Sequence, residues 1–213
     1  MELDVILVAL SLVLLSGLLY WHVNFEIPRR ERARLNEVMR AFSTAIQLRF
    51  PCHEGLSTRL VGLCRHLAFE LELTPRETET LEAGALLHDI GLCAIPYALI
   101  NKKPMMMWTD LDHATYARYP EVSSAMLELV PSLSHIAPLI RDQRLDYHED
   151  LSIEARVLRV AYDFVWTEAR MGGEMATQKL ILGASSQYDP DIVNAFLGAI
   201  EPSPVPPAIP VRI

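Results

Sequence analysis

Apolar and polar residues recur along this chain with the 3.6-residue period of helices, after an opening stretch that is apolar all round. Val5 to Val23, VILVALSLVLLSGLLYWHV, holds no Asp, Glu, Lys or Arg and is long enough to cross a hydrocarbon core of about 30 Å. Between Glu31 and Phe50, residues Leu35, Val38, Met39, Phe42, Ala45 and Ile46 fall on one stripe, which predicts a connector helix. Leu56 to Leu73 is periodic again. Thr74-Pro75-Arg76-Glu77 then supplies a cap, a proline for the first helical position and a glutamate that reaches back. The helix it starts runs into His88-Asp89 and stops at Gly91. After a proline-flanked passage through Lys102-Lys103-Pro104, Thr109-Asp110 starts another helix, which Pro120 interrupts. Further helices are predicted at about 131–144, 153–171, 175–183 and 190–200. No stretch of useful length alternates like a strand. The predicted fold class is all-α, a compact multi-helix bundle preceded by one N-terminal transmembrane helix.

The pattern divides the chain into an anchor (1–27), a juxtamembrane connector (28–52), a helical domain (53–201) and a tail (202–213). Five prolines between Pro202 and Pro210 make that tail an extended, disordered end. Charge adds an orientation. Glu2 and Asp4 precede the apolar run, and Arg29, Arg30, Arg32 and Arg34 follow it, so the positive-inside rule puts the N-terminus outside and the rest in the cytoplasm. A secretory signal would have a basic start and a small-residue cleavage site, and neither is present. Tyr20 and Trp21 sit where an interfacial aromatic belt belongs. The expected location is the inner (cytoplasmic) membrane, crossed once. The arginines would also hold the connector against anionic lipid, and its apolar stripe would pack on the domain, with a seam in a homodimer as the alternative.

A net charge of -8 argues against nucleic-acid polymers, which call for a basic face. Cys52, Cys64 and Cys93 have no zinc-motif spacing and read as reduced, buried hydrophobes. Candidate chemistry centres on His88-Asp89. A vicinal imidazole and carboxylate suit Fe, Mn or Zn, and they can converge on one ion only because the helix ends there. Two residues still fall short of the roughly four to six donors a metal takes. His53, His66, His113 and His135 carry no partner pattern and read as ordinary histidines. Met105-Met106-Met107-Trp108 reads as packing, with lining a pocket or contacting the membrane as the alternatives.

Four stretches, in order, resemble the HD-GYP branch of the HD-domain metal-dependent phosphohydrolases. LLHDIGLCAIP (86–96) is similar to that family's HDIGK-x-x-IP block and TDLDHATYARYPEVS (109–123) to its T-x-x-E…H-P-E-x-G block. IEARVLRVAYDF (153–164) is similar to LEARI-L-x-VAD-x-F, and SQYDPDIVNAFL (186–197) to T-Q-F-D-P-x-x-V-x-x-F. The resemblance covers about residues 56–200. It implies an HD-type helical bundle whose His and Asp side chains hold two or three metal ions, which activate a hydroxide that cleaves cyclic dinucleotides, chiefly cyclic di-GMP.

Carried over position by position, the resemblance keeps His88 and Asp89 but little else. The early histidine falls on Leu56, the HDIGK lysine on Leu92 and the H-P-E histidine on Tyr119. The paired histidines of the HHE block fall on Gln143 and Arg144, and the VAD aspartate on Tyr162. The GYP loop is missing. Sliding the alignment by four residues brings His148 onto the HHE block, and Asp163 then stands one position from the VAD aspartate. The resemblance therefore implies a catalytically degenerate HD-GYP-like domain with no metal cofactor, acting as a regulatory or binding module for a partner protein or a cyclic dinucleotide. The alternative is an active phosphohydrolase with a reduced site of His88, Asp89, His148 and Asp163 holding Fe, Mn or another divalent ion.

Overall fold

A computed structural model describes residues 2–200 and is all-α, as expected. Two compact units divide it, Met1–Ala41 and Phe42–Ile213. The first holds α1 (Glu2–Trp21), a single π-helical turn (His22–Glu26) and the start of α2 (Ile27–Arg49). At about 1.5 Å per residue, the 20 residues of α1 span roughly 30 Å. Every large apolar side chain from Ile6 to Trp21 is more than half exposed. Among the described residues this is the one helical stretch long and apolar enough to cross a membrane.

In the second unit come α3 (Leu56–Glu70), α4 (Pro75–Leu87), α5 (Tyr97–Asn101), α6 (Asp110–Ala117), α7 (Tyr119–Glu128), α8 (Ala137–Asp142), α9 (Ile153–Met171), α10 (Gly173–Gly183) and α11 (Pro190–Ile200). Short 3-10 turns at Pro51–His53, Ile90–Ala94, Met105–Met107 and Ser134–Ile136 link them. Among the described residues no strand forms beyond an isolated bridge between Ala184 and Tyr188. The centre is α9, which packs against α3, α4, α8, α10 and α11. Its Val157, Leu158, Val160, Ala161 and Val165 are buried, spaced as one face of a helix requires.

Local signals start these helices where the sequence places them. Thr74 and Glu77 form the capping box of α4: the Glu77 N–H donates to Thr74 Oγ1 (3.3 Å) and the Thr74 N–H to Glu77 Oε2 (2.8 Å). Thr109 and Asp112 do the same for α6. Ser152 caps α9, accepting from the Ala155 N–H (3.2 Å).

Three expectations need correction or placing. The helix expected at 131–144 is a 3-10 turn followed by the short α8. Pro138, with no N–H and a fixed φ, fits only the first turn of a helix and so prevents one continuous run. The three methionines do not pack inward: Met106 is 93% exposed, because a single turn after Pro104 has no inner face to offer. Trp108 packs instead, its indole N–H donating to the Lys103 carbonyl (3.1 Å). The proline-rich tail from 202 lies outside the described residues.

Gly91 fixes how the chain leaves α4. Its N–H donates to Ser123 Oγ (2.8 Å), and a Cβ there would fall on the Tyr119 carbonyl and 2.6 Å from Ser123 Oγ. Gly91→Ala is therefore expected to cost about 1–3 kcal/mol by overpacking. Gly62→Ala, on α3 with open space at its Cβ, should stabilise by about 0.5–1 kcal/mol. Thermal or denaturant unfolding of the two variants checks both signs.

Candidate functional site at the end of α4

The last turn of α4 is buried by α3, α9 and the 3-10 turns, and it ends in two polar residues. His88 and Asp89 are each only 1% exposed. His88 donates its Nδ1–H to the Ala85 carbonyl (2.9 Å), which turns Nε2 towards Asp89, 3.9 Å from Oδ2. Gln143 Nε2 donates to the His88 carbonyl (2.9 Å), satisfying a helix end that would otherwise be buried unpaired.

His53, read as an ordinary histidine, belongs to the same corner. The 3-10 turn started by Pro51 folds it inward to 1% exposure, with Nδ1 3.6 Å from Asp89 Oδ2 and its ring 4.9 Å from that of Trp166. It lies one turn ahead of Leu56, the aligned position. That nearness was the signal available in the sequence.

Burial dominates the electrostatics. It pushes the His88 imidazole below its usual pKa, against the opposing pull of the Asp89 charge and the Ala85 carbonyl. Burial would raise Asp89, but its interactions with His88 and then His53 outweigh this and hold its carboxyl below the ordinary value. The corner is thus a carboxylate beside a neutral imidazole at neutral pH.

The remaining positions singled out by the resemblance surround this corner without adding donors. Leu92 is fully buried in a cluster with Ile46, Phe50, Ile95, Leu99 and Tyr119. Arg144 reaches the Tyr119 hydroxyl (3.5 Å) and lies over the Tyr162 ring, 5.5 Å from its centroid. Tyr162 in turn meets the His88 ring edge-on at 5.2 Å and stacks on Trp166 at 6.0 Å. Burial raises both phenols, so Tyr119 and Tyr162 are neutral and weak as metal ligands at neutral pH. The space between Leu56, Leu60, His88, Tyr162, Val165 and Trp166 leaves no room for a water molecule.

The two substitute ligands do not join the corner. Asp163 accepts a hydrogen bond from the Tyr188 hydroxyl (2.7 Å) and has Arg159 and Lys179 each at 3.5 Å, so it ties α9 to α10 and the α11 approach. His148 is exposed in the turn before α9. His66, His113 and His135 are exposed as well. Among the described residues no group of three or more His, Cys, Asp or Glu is arranged to hold a metal ion. The donors present do not fit the metal shell that the resemblance implies.

A depressed His88 pKa makes folding pH-dependent. The unfolded chain takes up a proton near its ordinary value of about 6.5 while the folded chain does not, so stability is present above that pH and is lost as pH falls below it. Asp89 acts in the same direction, but only below its own ordinary value of 3.8. Unfolding midpoints between pH 7.5 and 5 should therefore fall, and His88→Asn should flatten that slope while lowering stability at neutral pH. An unchanged slope would show that His88 is not the group responsible.

A comparison with curated proteins gives no match. The sequence profile described as HD domain matches residues 40–192, well over half of the chain, and takes in the corner, the filled space around it and α9. The chain belongs to the HD domain family.

Proposed function

We propose that this is a membrane-anchored HD-domain protein that binds rather than hydrolyses, a regulatory module of cyclic dinucleotide signalling whose metal site has been given up. The observation that carries this reading is the filled corner: His88 meets Tyr162 edge-on and, with Leu56 and Trp166, bounds a space too small for water. Hydrolysis by two metals needs a hydroxide held between them, so a site without water or shell has no nucleophile to offer. The membrane part is supported by the apolar α1, and a cytoplasmic HD domain by the arginines that follow it, through the positive-inside rule.

One observation favours the alternative, an active phosphohydrolase with a reduced site. His53 adds a second imidazole beside Asp89, so three side chains meet where the resemblance would put metal. Against it stand the lack of space and the cation Arg144, which repels a metal ion across the Tyr162 ring.

The full chain purified in lipid nanodiscs decides between them. Elemental analysis should find Fe, Mn and Zn well below one per chain, and added Mn should give no turnover of cyclic dinucleotides. Near-stoichiometric metal, with turnover that disappears in His88→Ala, would overturn the binding-module reading.

A further inference from the structure

Beside the corner lies a cavity of about 380 Å³ that neither the HD corner nor the membrane helix accounts for. Its walls include Trp108, Tyr116 and Trp166, and its cations are Lys102, Lys103 and Arg170. Among the described residues no carboxylate lines it, although the chain as a whole carries 27 Asp and Glu against 19 Lys and Arg. Asp112, ion-paired with Lys103, lines the neighbouring hollow instead. The local charge thus runs against that of the chain.

The walls are also fixed in place. The Trp108 indole N–H is held by the Lys103 carbonyl, and its ring packs on Tyr116 at 5.2 Å. Trp166 lies between the Tyr162 ring and the Arg170 guanidinium, which sits 3.2 Å from its centroid. Aromatic walls favour a flat apolar body, which buries area at little entropic cost. Cations at the edge of such a cavity favour an anionic group on that body. A free inorganic anion would leave the aromatic walls unused, and a neutral ring would leave the cations unused.

We propose that this cavity binds a small ligand made of a flat aromatic body carrying an anionic group, the ring against Trp108 and Tyr116 and the anion at the cationic rim. The proposal deepens the binding-module reading and rests on it. Trp166 would connect the two sites, since it lines the cavity and also touches His53 and Tyr162 of the corner.

The test is isothermal titration of the full chain in lipid nanodiscs with EDTA present, subtracting empty nanodiscs. The probes are 1-naphthyl phosphate, 1-naphthol and inorganic phosphate. Saturable binding of 1-naphthyl phosphate about tenfold or more tighter than either half is expected. Lys102→Gln and Arg170→Gln, both at exposed positions, should each weaken it several-fold, Lys102→Gln without moving the unfolding midpoint, whereas Arg76→Gln, remote from the cavity, should not weaken it. Lack of saturable binding, equal affinity for phosphate alone or for 1-naphthol alone, or wild-type binding in both cavity variants would each overturn the proposal. Stoichiometric metal and turnover before EDTA treatment, with binding intact afterwards, would remove the binding-module reading and leave this site standing.

Discussion

Everything in the HD domain turns on how α4 ends. A helix that stops inside a protein leaves carbonyls without partners and must also change direction in little space. Here both needs are met by neighbours distant in sequence. Gln143 supplies a donor to the His88 carbonyl, and Gly91 lets the chain sit against α7 closely enough to bond Ser123. That turn is what brings His88 and Asp89 side by side, since on a continuing helix their side chains would diverge by about 100°. The geometry of the corner is therefore a consequence of chain termination, and it stands whether or not an ion is bound.

Holding a carboxylate at such depth is expensive unless something offsets the lost hydration. A metal ion would be one solution. Here two imidazoles lie 3.6 and 3.9 Å from Asp89 Oδ2 and offset part of that cost when they carry a proton towards it. Around it, Gln143 caps a helix, Leu92 fills an apolar cluster, and Tyr119, Arg144 and Tyr162 pack on one another, so each of these side chains is partnered within the domain.

Most of the fold was legible in the sequence because its signals are local. Capping boxes at Thr74 and Thr109 and the long periodic stripe of α9 report helix starts and faces directly. What failed to be legible depended on distant contacts. The run from 131 to 144 has the right composition for a helix, but Pro138 and the fit against α7 break it. The methionine turn looked like core by composition, and only the chain path shows that it has no inner face. Asp163 lies one residue from a ligand position, yet Tyr188, Arg159 and Lys179 draw it to the other side of α9. His53 was hidden for a related reason: alignment looked at Leu56, while a short turn carried the imidazole in from three residues earlier.

At this corner, positions that the resemblance assigns to ligands hold aromatic rings, which offer no strong metal donor and also take up space. Replacing an aspartate or histidine by tyrosine removes a metal donor and at the same time adds a ring that needs room. With Tyr162 stacked on Trp166 and edge-on to His88, the volume an ion and its water would occupy is already taken. Arg144 then places a fixed positive charge over the same ring, 5.5 Å from its centroid, which adds repulsion against any cation at the corner. Restoring a single ligand would leave the ring, the volume deficit and the charge unchanged. The same packing that closes the corner also builds the neighbouring cavity wall, because Trp166 belongs to both. Binding at the cavity would thus be felt at the corner through one shared ring.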